Sequence, residues 1–120
     1  MLQKAIAHYK SVGRKQALID FTERKPPFRD RDLYVVCFSQ ERVVVANGGF
    51  PGNVGSSADA VVDLNGKGVG TTAWAATADN GEGTVHYRWV NPVSHSLELK
   101  TAFFARVGGD VCGVGAYTPY

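Results

Sequence analysis

The first 22 residues carry apolar side chains at helical spacing. Within residues 2–12 the apolar positions are Leu2, Ala5, Ile6, Tyr9 and Val12. This spacing predicts an amphipathic helix, and the pattern resumes over residues 14–22 after an interruption at Gly13. Glycine inside a helix costs about 1 kcal/mol relative to alanine, so the segment is either one kinked helix or two helices in line. Pro26-Pro27 ends it, because proline lacks an amide proton and disfavours α conformation in the preceding residue.

Five later segments have the composition of β-strands. β-branched and aromatic residues fill them, while Gly, Pro, Asn and Asp occupy most of the gaps between them. The predicted strands are residues 33–39, 42–46, 84–90, 97–107 and 111–117. A short turn at Gln40-Glu41 makes the first two strands a hairpin. Turn residues at 91–92 and 108–110 make the last three an antiparallel meander.

A less regular stretch, residues 50–82, connects the hairpin to the meander, and we call it the crossing segment. Its predicted pieces are a helical turn at 57–62, a turn at 63–66, a helix at 69–78 with Trp74 facing inward, and a loop from 79 to 83. Long connections of this kind are usually functional. The pattern predicts an α+β fold: one five-stranded antiparallel sheet, with the long N-terminal helix on one face and the crossing segment on the other.

Length and composition favour one folded domain. The chain has 120 residues, of which 44% are hydrophobic, so it can bury a core. We expect a single domain over 1–120, with a helical segment at 1–25 and a sheet and pocket at 32–118. No apolar run approaches the roughly 18 residues of a membrane span, and no signal peptide is evident. The protein therefore either stays in the cytoplasm or begins after a removed segment.

Positive charge is concentrated near the N-terminus. Residues 1–32 hold eight Lys/Arg and four Asp/Glu, whereas the remainder holds five and seven. Such a basic end could contact nucleic acid or anionic lipid. A solvated helix face explains the same charges more simply, and we expect no nucleic-acid partner.

The two cysteines, Cys37 and Cys112, both lie in strand-like apolar runs. They are too few for a disulfide framework. Buried free thiols are the default interpretation, and a bridge requires that the two strands be neighbours in suitable register.

No motif predicts a metal, a cofactor or catalysis. The three histidines, His8, His86 and His95, are scattered without metal-ligand spacing. Asp63-Leu-Asn-Gly66 resembles the start of a calcium loop, but the later ligands are missing, so it is interpreted as a turn. Because no acid/base pair can be nominated, an enzyme is the weakest of the functional hypotheses.

The candidate binding residues come from the meander. Alternation along 84–90 places Tyr87 and Trp89 on one face, where flat aromatic walls with polar tips could orient a small ligand. Lys100 lies on an otherwise apolar strand face with Ala102 and Phe104. A lysine there needs an anionic partner, since an unpaired buried charge is costly. The alternative is a side chain that extends to solvent at a sheet edge.

Taken in order, the motifs of the chain resemble those of the single Cache domains of bacterial chemoreceptors and sensor kinases. They are G-x-x-x-A-L at 13–18, D-L-Y at 32–34, D-x-N-G-K at 63–67, G-x-V-x-Y-x-W-x-N-P at 83–92, a downstream Lys100 and G-V-G-A-Y at 113–117. Each piece alone is weak, but their order and spacing over about 100 residues are specific.

The resemblance implies a PAS-like sheet outside the cytoplasm, periplasmic in location, that binds a small organic anion and performs no chemistry on it. The ligand would be a short carboxylate, and the role would be sensing in signal transduction or chemotaxis. Lys100 would pair with its charge, Tyr87 would supply a hydroxyl, Trp89 and Trp74 would wall the apolar part, and Tyr117 could add a hydroxyl. A homodimer through the N-terminal helix is implied as well. Without membrane helices or an output domain, the chain is expected to be a free-standing binder or an excised sensor.

A second hypothesis stays open beside the sensor. In it the domain is a protein-interaction module that acts through its N-terminal helix, and its own side chains fill the pocket. A pocket packed solid by Trp74 and Phe50 would favour this interpretation.

Overall fold

The computed structural model describes residues 1–118 and has the α+β order that the sequence predicts. The helices are α1 (Leu2–Val12), α2 (Arg14–Thr22) and α3 (Val69–Ala76), and the strands are β1 (Val35–Ser39), β2 (Val44–Asn47), β3 (Glu82–Val90), β4 (Leu97–Val107) and β5 (Asp110–Thr118). Single 3₁₀ turns lie at Pro51–Asn53 and Ala58–Ala60. The last two residues of the predicted 1–120 domain lie outside the described residues. None of the helices within 1–118 is long and apolar enough to cross a membrane.

Gly13 divides the N-terminal segment into two helices. Its φ of 89° lies in the left-handed region, and its amide donates to the carbonyl of Tyr9 at 3.0 Å. A residue with a β-carbon would be strained there, so glycine ends α1 and lets α2 start at once. Of the two arrangements that the sequence allowed, the protein adopts two consecutive helices.

The five strands form one antiparallel sheet in the order β2-β1-β5-β4-β3. The first hairpin and the meander meet where β1 pairs with β5. Consequently β2 and β3, which flank the crossing segment in sequence, lie at opposite edges of the sheet. The crossing segment must therefore span the full width of one sheet face, and this path is what encloses a pocket.

Strand alternation gives the sheet two different faces. The helix face packs against α1 and α2 through Val35, Cys37, Ala46, Cys112 and Val114. The pocket face packs against α3 and the Ala58 turn through Val36, Phe38, Val85, Tyr87, Ala102, Phe104 and Val111. The predicted placement of helices on one face and crossing segment on the other is confirmed.

The element boundaries differ from the predicted ones by two residues in several places. β3 starts at Glu82, so the predicted loop at 79–83 is shorter, because Glu82 and Gly83 pair with Ala105 and Phe104 on the long β4. β2 starts at Val44 because Arg42 adopts a positive φ of 62° in the hairpin turn. Strand pairing, which local sequence does not contain, sets these limits.

Cys37 and Cys112 form a disulfide, contrary to the default expectation of free thiols. They lie directly opposite one another on β1 and β5, with their Cα atoms 4.1 Å apart. The sequence could not decide this point, because the pairing depends on which strands are neighbours. The bridge joins the first hairpin to the meander beneath the two N-terminal helices.

A buried aspartate fastens the helices to the turn between β4 and β5. The Asp110 carboxylate, which is buried, accepts from Tyr9 Oη at 2.6 Å and from Arg14 Nε at 2.7 Å. Burial and the Asp110 carboxylate together raise the pKa of Tyr9 to about 12. The contact therefore links the α1–α2 junction directly to the start of β5.

The disulfide is expected to contribute substantially to stability, since it closes a separation of 75 residues. Replacing both partners (Cys37→Ala with Cys112→Ala) should lower the free energy of unfolding by about 2 to 4 kcal/mol, measured by urea denaturation. Reductant should destabilise the wild type and leave the double variant unchanged. Equal stability of the wild type with and without reductant would contradict the bridge.

Candidate ligand-binding site

A cavity of about 220 Å³ lies between the pocket face of the sheet and the crossing segment. Its sheet-side lining comes from every strand except β5, and from Tyr34 just before β1. The lining residues are Tyr34, Val36, Phe38, Val44, Asn47, Asn53, Ser56, Ser57, Ala58, Ala60, Val61, Val69, Tyr87, Trp89 and Lys100. The structure thus brings Tyr87, Trp89 and Lys100 together at one cavity.

Lys100 is buried in an aromatic cage. It is 1% exposed, and its Nζ lies 4.3 Å from the ring centre of Tyr34, 5.3 Å from that of Tyr117 and 5.4 Å from that of Tyr87. The alternative of a side chain extending to solvent is therefore wrong. Lys100 makes no ion pair with any residue in the described part of the chain.

Burial without a counter-ion lowers the pKa of Lys100 to about 7. Desolvation disfavours the charged form, and no nearby carboxylate opposes this effect. The π faces of three tyrosines attract an ammonium group, but they do not replace an anion. At neutral pH an amine in this state is only partly charged, and a nearby anion would favour its charged form.

Tyr34 is a site residue that the binding-site prediction did not include. Lys100 Nζ donates to Tyr34 Oη at 3.0 Å, the Tyr34 and Tyr117 hydroxyls are 2.7 Å apart, and Tyr117 Oη donates to the carbonyl of Val90 at 3.0 Å. Since Tyr117 donates to Val90, Tyr34 must be the donor to Tyr117. The chain of hydrogen bonds fixes the lysine's position. Burial raises the pKa of both tyrosines, so both remain neutral.

Several polar groups of the cavity have no partner within residues 1–118, and each of them can donate a hydrogen bond. They include the Tyr87 hydroxyl, the Trp89 indole N–H and the NH₂ groups of Asn47 and Asn53. Asn47 Oδ1 accepts from the backbone amides of Gly49 and Phe50 at 3.1 and 2.8 Å, which leaves its NH₂ unused. Burial raises the pKa of Tyr87, so its proton stays available for donation. The unpaired groups are thus suited to an acceptor.

Two glycines on β5 provide room for the site. A β-carbon at Gly115 would overlap the Lys100 side chain, and one at Gly113 would overlap the Phe104 ring. Both positions lie on the pocket face, directly beside β4. The G-V-G-A-Y motif therefore has a steric purpose: its glycines let β4 side chains lie flat across β5.

The structure does not bring Trp74 into the cavity lining. Its indole Nε1 donates to the carbonyl of Ser39 at 2.9 Å, and the guanidinium carbons of Arg42 and Arg106 lie 5.7 and 4.8 Å from its ring centre. Trp74 packs in the same core layer but anchors α3 to the sheet. Tyr117 also lies outside the lining and approaches the site only through Tyr34 and Lys100.

The nearest carboxylates are engaged elsewhere. Asn91 Nδ2 donates to Asp32 Oδ2 and to Glu98 Oε1, both at 2.9 Å, and Ser94 Oγ donates to Glu98 Oε2 at 2.8 Å. Glu98 lies two positions before Lys100 on β4, on the same face of the sheet. These hydrogen bonds hold its carboxylate at the β3–β4 turn.

The buried amine predicts a specific pH dependence of stability. The pKa of Lys100 is about 7 in the folded protein, below its ordinary value of 10.5, so between those values the unfolded chain binds more protons. The stability of the wild type relative to Lys100→Met should therefore rise with pH from 7 to 10, by up to about 1.4 kcal/mol per pH unit. Urea unfolding of both proteins at each pH gives the difference between their free energies of unfolding. The contributions of the other titrating groups cancel in this difference. A difference that does not change with pH would contradict the buried, unpaired amine.

Comparisons with known proteins agree with this fold. Residues 9–117 match the sequence profile of the family Single Cache domain 2. A comparison with curated proteins found no match. Among solved structures, the chain is similar to a methyl-accepting chemotaxis protein from Vibrio parahaemolyticus RIMD 2210633, with a TM-score of 0.78 and 15% identity over 97% of this chain and 82% of that one.

Two further solved structures resemble the chain at 22% identity, each with a TM-score of 0.73. One is described as the periplasmic sensor domain of a chemotaxis protein, with 97% of this chain and 87% of that chain covered. The other is described as a Cache chemosensory domain that recognises carboxylic acid, with 98% and 79% covered. These likenesses establish the fold, and the family match extends over nearly the whole sequence. The chain belongs to the Single Cache domain 2 family, a family of non-catalytic ligand-sensing domains.

Proposed function

We propose that this Cache domain senses a short monocarboxylate that binds in the cavity beside Lys100. The observation that carries the proposal is a buried lysine that faces an open cavity and has no anionic partner in the described part of the chain. A carboxylate would supply the missing counter-ion and could accept from the Tyr87 hydroxyl as well. Charge-assisted hydrogen bonds of this kind are stronger than neutral ones.

The composition of the lining supports one negative charge and a short apolar tail. Lys100 is the only cationic residue among the lining residues, so a second carboxylate would find no second cation. Val36, Val61 and Val69 offer an apolar surface, and Trp89 adds a flat wall. The volume of about 220 Å³ is smaller than the usual range for drug-sized ligands, which favours an acid of two to four carbons.

Two observations support a periplasmic, chemosensory role. Disulfides persist in oxidising compartments and are rare in the cytosol, and Cys37–Cys112 is such a bond. Two of the similar structures are described as a periplasmic sensor domain of a chemotaxis protein and as a Cache domain that recognises carboxylic acid. We extend both descriptions to this chain as part of the proposal.

The contact at Asp110 offers a route for the signal. Ligand binding would act on Lys100 in β4, and the neighbouring strand β5 begins with Asp110, whose carboxylate holds Tyr9 and Arg14. A shift of β4 against β5 would therefore reach the α1–α2 junction. The homodimer through the N-terminal helix is part of this proposal, as the means by which a helix movement would be passed on.

The interaction-module hypothesis receives less support. Phe50 packs edge-on against Trp89, with ring centres 5.6 Å apart, and Trp74 anchors α3. Neither ring is part of the cavity lining, and space for a guest remains. A pocket filled by its own side chains does not fit this arrangement.

A thermal-shift panel of acetate, propionate, lactate and butyrate at pH 6 tests the proposed function. A carboxylate at 100 times its dissociation constant should stabilise the wild type by about 2.7 kcal/mol. Lys100→Met keeps the chain length but lacks the charge, and should lose this stabilisation. Lys67→Met, at an exposed lysine, should retain it. If none of the four acids stabilises the wild type, or if Lys100→Met responds equally, the proposal is wrong.

A glycine pair tests the steric part of the site. Gly115→Ala places a methyl group against the flexible Lys100 side chain, which must shift. The dissociation constant of the best carboxylate should rise at least about tenfold, equivalent to a loss of about 1.4 kcal/mol. Gly109→Ala is the matched control, because its β-carbon would be 3.7 Å from the nearest atom, Gln40 Nε2. Isothermal titration calorimetry measures both, and equal affinities would contradict this role of Gly115.

A further inference from the structure

We propose that the pocket binds its carboxylate together with a proton, so that each binding event takes up the elements of a neutral acid. The inference rests on the proposed function and concerns the same site. It starts from an asymmetry in the geometry: the cavity holds one amine and, within the described chain, no acid among its lining residues. Protonation of the amine must then favour binding of the anion, and binding of the anion must favour protonation of the amine.

The surroundings of Lys100 provide no substitute for the anion. Tyr34 faces the amine from the segment before β1, Tyr87 from β3 and Tyr117 from β5, and all three hydroxyls are neutral because burial raises their pKa values. On the same strand as Lys100, the Glu98 carboxylate accepts hydrogen bonds from the side chains of Asn91 and Ser94.

The remaining elements around the cavity contribute no charge either. Asp32, which precedes β1, accepts from Asn91. The lining parts of β2, of the crossing segment and of α3 carry no titratable side chain, since they supply only Val44, Asn47, Asn53, Ser56, Ser57, Ala58, Ala60, Val61 and Val69.

The empty pocket therefore cannot hold a fully charged ammonium group at neutral pH. Desolvation alone lowers the pKa of the Lys100 amine to about 7, so the free site is partly neutral. A carboxylate within contact distance favours the charged form and raises that pKa again. The ligand itself is ionised throughout this range, because carboxylic acids have pKa values of roughly 4 to 5. The proton must come from solvent and be taken up by the lysine.

The consequence is a sensor that responds to carboxylate and to acidity together. At a fixed carboxylate concentration, acidification from pH 8 to pH 6 would raise occupancy until the amine is fully protonated. Because the anion and the proton bind together, the net charge of the pocket does not change, and no other charge in the protein has to move. A permanently charged group in the same place would respond to the carboxylate alone.

Calorimetry on the wild type measures the linkage. Propionate and the other three acids are titrated into the protein at pH 6 and pH 8, each in buffers with different ionisation enthalpies, so that proton uptake is read from the buffer dependence. With a free-state pKa of about 7, uptake should be about 0.9 proton at pH 8 and about 0.1 at pH 6, and affinity should be about tenfold weaker at pH 8.

Residue-specific NMR separates this inference from the proposed function. In protein labelled with ¹³C at lysine Cε, one lysine of the free protein should titrate near pH 7. Propionate should raise the titration midpoint of that lysine by at least about two units, as the expected proton uptake at pH 8 requires. Because only the lysines carry the label, this signal is independent of His8, His86 and His95.

Together, the two measurements distinguish failure of the proton linkage from failure of the proposed function. Binding of a carboxylate with no lysine titrating near neutral pH, and with no proton uptake at pH 8, overturns the proton linkage and leaves the carboxylate sensor intact. A lysine that titrates near pH 7 with no binding of any of the four acids at pH 6 overturns the proposed function and the linkage with it. Coupled uptake and binding supports both.

Discussion

The central constraint on this structure is the burial of a lysine amine that has no counter-ion. Isolated charges are expensive to bury, and proteins normally pair or expose them. Here Lys100 is 1% exposed, and the groups around it are tyrosine rings and hydroxyls that hold its position without neutralising its charge. Such an arrangement is unfavourable for folding alone, and the anion that we propose as ligand would supply the missing counter-ion.

The rest of the fold makes this arrangement possible. Strand order places β2 and β3 at opposite edges, so the crossing segment runs across the pocket face and forms the other side of the cavity. Gly115 leaves space for the lysine stem, and the Tyr34–Tyr117–Val90 chain of hydrogen bonds fixes its terminal nitrogen. The disulfide and the Asp110 contact connect the strands of the site to the N-terminal helices. The binding site and the helices are thus joined by direct contacts.

Much of the site could be predicted from local sequence, because it lies on one antiparallel pair. Alternation assigned Tyr87 and Trp89 to one face and Lys100 to an apolar face, and the β3–β4 register places Tyr87 directly opposite Lys100. Hydrophobic spacing likewise predicted the helices, the strands and their division between two faces. These features depend on neighbours that are close in sequence or joined by one turn.

What sequence reasoning missed depends on contacts between distant segments. Tyr34 reaches Lys100 only because β1 pairs with β5, and no local sequence pattern indicates that pairing. The only sequence signal for Tyr34 was its place in the D-L-Y motif. The disulfide required the same knowledge. Trp74 faces inward as predicted, yet it contacts Arg42 from the first hairpin turn and Arg106 from β4, and the prediction of its direction could not identify these distant neighbours.

The most direct test of the account is a crystal structure of the protein with the monocarboxylate that stabilises it most. The account predicts one carboxylate oxygen at about 2.7 to 2.9 Å from Lys100 Nζ, with the other within hydrogen-bonding distance of Tyr87 Oη. A carboxylate bound elsewhere on the protein, with no anion at Lys100, would contradict it.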